Sequence, residues 1–438
     1  MKHLLTVVMA LGLFVCWADL NHVHAEDDFE EDALAAAIRA RAPEPSERAA
    51  RAAGVWLPDI SVVIDMIYFR DDTREGVPHL REEIAGFGHS HDDDGHHHGL
   101  EQGFNIRELE LGFTAEVDPY FRAWTILGID LDHVDVEEAV IQTTSLPYGL
   151  MLSGGRLLSG IGRINRQHPH FWDFVDQPLV YELLLGDEGL QENGLQLTWL
   201  APTPFYLLFG TEALQGDNEL MFRHIGGDNL PRKAGPRLFT GFLKTGPDLG
   251  DHHALQLGLS YATGYHQEAH DGSADGAYDH WLHGRSHLWG VDCVYKYYAH
   301  GYHGHGDVVL QAEYFHRKKD LEVRRHDLNP GVVGRDRIEE QDGYYLQGLY
   351  GIAPRWRVGA RWEEVGLTNT IRRPNGVKSS YGTSNRASTM VDWWLTEFSM
   401  LRMQVGHGNY STDHGRKSAW EFALQWQVTF GEHAAHDF

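Results

Sequence analysis

The sequence predicts an all-β protein, a closed antiparallel transmembrane β-barrel of about 16 strands with short periplasmic turns and long extracellular loops. Three observations carry this prediction. Short segments of alternating apolar and polar residues recur from Pro58 to the end of the chain. Glycine (48 residues) and aromatic side chains (11%) are spread along the whole chain, as strands and membrane-interface girdles require. After the N-terminal region, no apolar run approaches the about 20 residues of a membrane-spanning helix. The alternative is a large secreted β-sandwich or β-helix.

The N-terminus is typical of an export signal. Lys2 and His3 precede an apolar run from Leu4 to Val15, and Val23-His24-Ala25 offers small residues for cleavage. The alternative is lipid attachment at Cys16, which the bulky residue before it disfavours. We therefore expect an exported protein of the outer membrane, divided into a signal peptide (1–25), a mobile acidic and Ala-rich periplasmic arm (26–54) and the barrel (55–438).

Alternation identifies the strands, because successive side chains of a barrel strand point by turns to lipid and to the lumen. The last segment shows it most clearly, with Trp420, Leu424, Trp426 and Phe430 on one face and polar residues such as Gln425 on the other. The same pattern predicts sixteen strands, at 58–69, 104–117, 120–131, 134–144, 150–163, 190–200, 205–215, 237–247, 253–263, 286–298, 306–318, 342–352, 355–366, 386–396, 398–409 and 418–430. Short Pro-containing turns alternate with long linkers between them, which supports a barrel with both chain ends in the periplasm.

Composition limits the function. The formal net charge is −26, so nucleic acid is excluded as a partner and cations are favoured. Removal of the signal would leave Cys293 alone, so no disulfide can form within the chain. No nucleophile elbow, His-Glu-x-x-His or phosphate-binding loop is present, and we predict no enzymatic activity.

A histidine-rich stretch stands out in the first long loop (70–103). Five imidazoles and three carboxylates fall within ten residues: His89, His91, Asp92, Asp93, Asp94, His96, His97 and His98. Imidazole suits zinc, copper and nickel, and the irregular spacing indicates a collector of metal rather than a fixed centre. We expect no obligatory cofactor, only transient binding of Zn²⁺. The alternative is a polar surface loop.

A second linker (164–189) is too aromatic to lie in water. We expect it to fold into the lumen as a pore constriction whose residues are His168, His170, Trp172, Asp173 and Asp176. The alternative is a loop cap sealed by its aromatic side chains.

Periodicity also predicts which charges face the lumen. Acidic residues fall on the early strands and basic residues on a later one: Glu108, Glu110, Asp130, Arg355, Arg357 and Arg361. Segregated acidic and basic walls would polarise the passage across its width, with a cation bias from the net charge.

Several segments resemble a known family. They are Pro58–Val62 (PDISV), Arg107–Phe113 (RELELGF), His168–Asp176 (HPHFWDFVD), Trp199–Phe205 (WLAPTPF) and the ending Gly431–Phe438 (GEHAAHDF). Together they are similar to the porin-like outer-membrane proteins labelled zinc-regulated TonB-dependent outer-membrane receptors, which distantly resemble phosphate-selective porins. The resemblance implies uptake of metal or metal complexes, and the phosphate-porin kinship implies that anion selectivity is possible.

These observations predict a porin-like channel for zinc or another divalent metal. Only about 30 residues precede the first strand, too few for the plug of an energised receptor. We therefore expect a passive pore that needs no inner-membrane energy-coupling partner. The alternatives are a general or anion-selective porin and a non-conducting metal-binding receptor. Outer-membrane lipid and divalent ions are the expected partners, and a homo-trimer is plausible.

Overall fold

The computed structural model describes residues 58–74, 76–87, 99–129, 134–218, 220–222, 233–271 and 278–431. Within them, sixteen strands pair antiparallel around a closed ring, and a seventeenth short strand adds to β13 outside it. The strands are β1 (Asp59–Asp71), β2 (Gly103–Asp118), β3 (Phe121–Ile129), β4 (Val134–Thr143), β5 (Leu150–Leu158), β6 (Gln191–Leu200), β7 (Tyr206–Leu214), β8 (Leu238–Gly246), β9 (His253–Asp271), β10 (Tyr278–Tyr297), β11 (Val308–Arg325), β12 (Asp336–Ala353), β13 (Trp356–Arg372), β14 (Lys378–Ser380), β15 (Ser384–Thr396), β16 (Ser399–Thr412) and β17 (Gly415–Gly431).

Closure comes from the pairing of the first and last strands. β1 runs antiparallel to β17 over the register from Ser61↔Gly431 to Asp71↔Glu421, and its other edge pairs with β2. A closed ring leaves no strand edge unpaired in lipid, where each unsatisfied backbone group costs several kcal/mol. The predicted closed antiparallel barrel is thus confirmed.

Each of the sixteen predicted strands corresponds to one strand of the ring, and β14 is the addition. The main differences are in length. β9 continues to Asp271, β10 starts at Tyr278 and β11 reaches Arg325, all beyond the predicted limits. These extensions carry charged residues that break the apolar alternation, yet the backbone ladder continues because pairing does not require a lipid-facing side chain.

The two faces of the barrel differ as the alternation predicts. On β17, Trp420 and Trp426 are 56% and 49% exposed, whereas the intervening Gln425 is fully buried. The same polar-inward pattern recurs around the ring, where most of the buried charged side chains of the strands project into the lumen. The interior is therefore a polar space that other parts of the chain must fill or leave open.

Two loop segments fill much of that space. Residues 76–87 contain helix α1 (Val77–Glu82), and residues 159–190 contain helix α2 (Leu179–Leu185) and two short 3-10 turns. Leu80 of α1 and Leu183 and Leu184 of α2 belong to one buried apolar cluster. Burial of each leucine contributes roughly 1.5–3 kcal/mol, so this cluster holds both segments inside the barrel. No helix in the described ranges has the length and apolarity to cross a membrane.

Candidate functional site

Residues 159–190, here called the inward segment, enter the lumen from the end of β5 and leave it at the start of β6. Wall carboxylates bind the backbone where the segment enters. Glu313 of β11 accepts the amide N–H of Arg163 at 2.6 Å and of Ile164 at 3.1 Å. Between β5 and these residues, Gly162 has a φ of +61°, a left-handed conformation that glycine adopts without strain. The segment therefore turns inward at a defined point.

Further along, the inward segment meets a group of guanidinium groups, here called the arginine cluster: Arg81, Arg357, Arg361, Arg386 and Arg402. Arg357 donates to Asp173 at 2.9 Å, and Arg361 donates to Asp176 at 2.6 Å. Arg386 also pairs with Asp176, and Arg81 lies 3.5 Å from the same carboxylate. Burial alone would raise the pKa of Asp176, but the charges of Arg386, Arg361 and Arg81 hold it well below its usual range.

The arginine cluster also donates hydrogen bonds to main-chain carbonyls of the inward segment. Arg402 donates to the Trp172 carbonyl at 2.8 Å, Arg361 to the Asp176 carbonyl at 2.8 Å and Arg386 to the Gln177 carbonyl at 3.2 Å. Wall carboxylates complete the balance, since Glu363 pairs with Arg386 and Asp392 pairs with Arg402 and Arg357. Each guanidinium of the cluster thus has a carboxylate partner, and the charge on this side of the lumen is compensated.

Another part of the lumen wall holds the carboxylate cluster, which we define as Glu108 and Glu110 of β2 with Glu137 and Glu138 of β4. His168 of the inward segment projects among them. Its Nδ1 atom lies 2.8 Å from Glu137 and 3.7 Å from Glu110, and its Nε2 atom lies 2.8 Å from Glu138. His170 follows, with Nδ1 3.1 Å from Glu110.

This cluster has the composition of a metal site. One ligand atom each from Glu108, Glu110, Glu137 and His168 can be chosen so that all lie within 4.8 Å of one another. Among the described residues, neither oxygen of Glu108 has a hydrogen-bond donor, and Oε2 of Glu110 also lacks one. The nearby cation Arg107 is engaged by Asp65 and by the carbonyl of Val175. The four carboxylates therefore outnumber the basic side chains that contact them, the imidazoles of His168 and His170.

A cavity of about 710 Å³ separates the two clusters. Glu108, Glu137 and His168 line one part of it, and Arg81 and Glu182 line another. Burial raises the pKa of Glu182 to about 7, although Arg81 at 3.3 Å opposes the shift. Part of this cavity lies between the inward segment and strands β2 to β4.

The structure brings together several residues that the sequence assigned to separate features. Glu108 and Glu110, predicted as lumen charges, lie beside His168 and His170, which were predicted as constriction residues. Trp172 is partly buried, with the Arg107 guanidinium 5.8 Å from its ring, and Asp173 and Asp176 face the arginine cluster instead of open water.

Other predicted residues lie elsewhere. Arg355 occupies the tight turn between β12 and β13, is exposed with a φ of +68°, and donates to the Leu395 carbonyl, whereas Arg357 and Arg361 project into the lumen. The chain reverses at this turn, so side chains begin to alternate between the lumen and the outer face only after it. Asp130 and the predicted metal collector His89–His98 lie outside the described residues.

Sequence analysis missed Glu137 and Glu138, since adjacent strand residues should point to opposite faces. The β3–β4 register shifts between Ile126 and Leu127, so that Glu138 faces Ile126 and Val136 faces Leu127. Glu137 is the extra residue of this β-bulge, and both carboxylates reach His168. Two adjacent acidic residues in an otherwise alternating strand are the only signal that the sequence offered.

Comparison with known proteins agrees with the fold. No protein family model matches the chain. An uncharacterized protein of Aquifex aeolicus (strain VF5) is 35% identical over 394 residues, which cover 87% of this chain and 80% of that protein.

Solved outer-membrane proteins share the architecture at low sequence identity. The trimer form of in-vitro folded OmpT of Vibrio cholerae covers 85% of this chain and 99% of its own, with a TM-score of 0.51 and 11% identity. The outer-membrane channel DcaP of Acinetobacter baumannii gives a TM-score of 0.51 at 12% identity, over 85% of this chain and 96% of its own. The anion-selective porin from Comamonas acidovorans gives 0.50 at 10% identity, over 85% and 99%. These likenesses show the fold alone.

Proposed function

The chain belongs to the same family as the uncharacterized Aquifex aeolicus protein, and we propose that it is an outer-membrane channel for divalent metal ions or their small complexes, with zinc as the first candidate. Its porin-like barrel points to a location in the outer membrane. The ion enters from outside, passes between the inward segment and strands β2 to β4, and leaves through the periplasmic end. No covalent chemistry is involved.

One observation carries the proposal: the charge on the two sides of the cavity is unequal. The arginine cluster is paired with carboxylates, whereas neither oxygen of Glu108 has a donor among the described residues and Glu110 contacts only the imidazoles of His168 and His170. In a narrow space with little water, uncompensated carboxylates attract cations far more strongly than they would in bulk solvent. The passage therefore favours cations over anions.

We further propose that His89–His98 gathers metal outside the barrel, because imidazole and carboxylate groups bind zinc at moderate affinity. Deletion of this stretch should lower zinc uptake at low external zinc and leave uptake at saturating zinc unchanged. Equal uptake by both proteins at every zinc concentration would remove the collector from the proposal.

The test is a planar-bilayer recording of the purified full-length protein under a potassium chloride gradient. We expect a reversal potential of the sign that marks potassium permeation, and micromolar zinc should reduce the current because a tightly held divalent ion occupies the passage. The variant E108Q/E137Q should lose both the zinc effect and part of the cation preference, while E116Q, which changes an exposed carboxylate of β2, should keep both. A chloride-selective current in the wild type would contradict the proposal.

A general or anion-selective porin is the second candidate. The row of inward arginines on β13, β15 and β16 supports it, since an anion could compete with Asp173 and Asp176 for these guanidinium groups. A non-conducting receptor is the third, supported by how much of the lumen the inward segment fills. We also propose a homo-trimer, an assembly named for Vibrio cholerae OmpT. The sign and presence of the current separate the three candidates.

A further inference from the structure

The carboxylate cluster contains a buried acidic side chain to which no basic, amide or hydroxyl group among the described residues donates a hydrogen bond. Glu108 is 6% exposed, and both of its carboxylate oxygens lack a hydrogen-bond donor among the described residues. An ionised carboxylate buried without a partner is among the costliest groups in a protein. Glu110 and Glu137 lie beside it, so repulsion between like charges adds to the cost. A positive species at this point would remove both penalties.

The histidine in the cluster is oriented as a metal ligand. Nε2 of His168 lies 2.8 Å from Oε1 of Glu138, and the indole N–H of Trp124 donates to the other oxygen of Glu138 at 2.7 Å. This chain of contacts fixes the ring and leaves Nδ1 directed toward Glu137 and Glu110. A carboxylate that holds the outer nitrogen of a ligating histidine is the usual second shell of a protein metal site.

We propose that Glu108, Glu110, Glu137 and His168 bind one divalent transition-metal ion inside the barrel, with Glu138 and Trp124 orienting His168. The inference deepens the proposed function and rests on it for the source of the ion. One imidazole with three carboxylates suits Zn²⁺, Mn²⁺ or Fe²⁺, since soft ions prefer thiolates and Mg²⁺ and Ca²⁺ prefer oxygen alone.

The geometry suits such an ion. Bonds of about 2.0–2.2 Å place the ligand atoms of a tetrahedral zinc ion about 3.3 to 3.6 Å apart. The four candidate atoms lie within 4.8 Å of one another, so small side-chain rotations bring them to bonding distance. Glu108, Glu137 and His168 line the 710 Å³ cavity, which gives the ion a route of entry.

The ion would also join separate parts of the fold. Its ligands come from β2, from the bulge of β4 and from the inward segment, so an occupied site ties the segment to the barrel wall. Metal at this position would therefore hold the part of the segment around His168, as ion pairs hold the part around Asp176.

The experiment measures metal binding by the full-length protein in detergent, without transport. Wild type, E108Q/E137Q, H168Q and E116Q are stripped with chelator, dialysed against the same buffered Zn²⁺ or Mn²⁺, and assayed for metal per chain by mass spectrometry. All four proteins contain the same histidine-rich stretch, so any metal that it holds is common to them and the difference between proteins is the quantity of interest. Electrophoretic mobility before and after boiling verifies that each barrel is folded.

We expect wild type and E116Q to hold about one more ion per chain than E108Q/E137Q, with H168Q giving an intermediate or equal loss. Equal metal content in all four folded proteins overturns the inference. Because binding is counted without current, a metal-loaded protein that does not conduct would overturn the proposed function and leave the site standing.

Discussion

From Trp172 to Gln177 the inward segment meets five guanidinium groups, and from His168 to His170 it meets the carboxylate cluster. The first contact is balanced, because each arginine has a carboxylate within ion-pair distance. The second is unbalanced, because Glu108 has no donor among the described residues. We propose that the first contact holds the segment in place and that the second accepts a mobile cation. Four predictions test this division.

The largest effect is expected where the inward segment contacts the arginine cluster. Asp176→Ala leaves Arg361 and Arg386 buried without one of their main partners, and loss of one member of a buried ion pair costs about 3–5 kcal/mol. The inward segment should then loosen, with a lower free energy of unfolding and a larger single-channel conductance in bilayers. Glu116→Ala, an exposed change, should alter neither. Unchanged stability and conductance in Asp176→Ala would contradict the view that the arginine cluster holds the inward segment in place.

The next effect concerns the orientation of His168. Glu138→Gln keeps one acceptor oxygen, which can still accept from Trp124, but it presents an NH2 group to His168 and removes the charge behind the ring. Loss of such second-shell groups weakens metal affinity about 10- to 100-fold. Titration calorimetry with Zn²⁺ should show this for the site inside the lumen, with the stability of the metal-free protein unchanged. An affinity equal to that of wild type would mean that Glu138 has no part in metal binding.

A smaller effect of opposite sign is expected for E108Q/E137Q in chelator. Removal of two neighbouring buried charges relieves their repulsion. The free energy of unfolding of the metal-free variant should therefore be higher than that of wild type, or lower by no more than about 1 kcal/mol. Asp176→Ala, in contrast, is expected to lower the free energy of unfolding. A loss of several kcal/mol would show that these glutamates are structural, as the aspartates are.

The smallest effect is a pH dependence. Burial raises the pKa of Glu182 to about 7, against the opposing charges of Arg81 and Arg386 and with support from Asp187 and Asp176. Below pH 7 the group is neutral, and above it the passage gains one negative charge. The ratio of cation to anion permeability should therefore rise between pH 6 and pH 8. Glu182→Gln should remove this step, and a step that persists in the variant must come from another group.

Much of the fold could be predicted because a barrel strand repeats every two residues. The pattern in Trp420–Phe430 alone places indole rings outside and glutamines inside, as the structure shows. Arg357 and Arg361 also follow from this period. The face on which a strand residue lies can be predicted because it depends only on the residue's position relative to its neighbours in the chain.

The composition of the site could not be predicted in the same way. Glu137 reaches the lumen through a bulge, which a strict two-residue period assigns to the wrong face. Arg386 and Arg402 meet the inward segment across 210 and 230 positions of sequence, and nothing local marks them as its partners. The pairing of His168 with Glu138 depends on how far the segment reaches into the barrel, which only the folded structure shows.

These distant contacts also bear on how the barrel is assembled. Glu313 holds the start of the inward segment from a strand about 150 positions later, and Gln404 donates to Asp176 across 228 positions. Such pairs form only after β11 and β16, respectively, have been made, and proteins rich in long-range contacts fold slowly. We expect each strand of the second half to take up its contacts with the inward segment as it is added, before β17 docks against β1. The inward segment would then act as a scaffold on which the second half of the barrel finds its register before the ring closes.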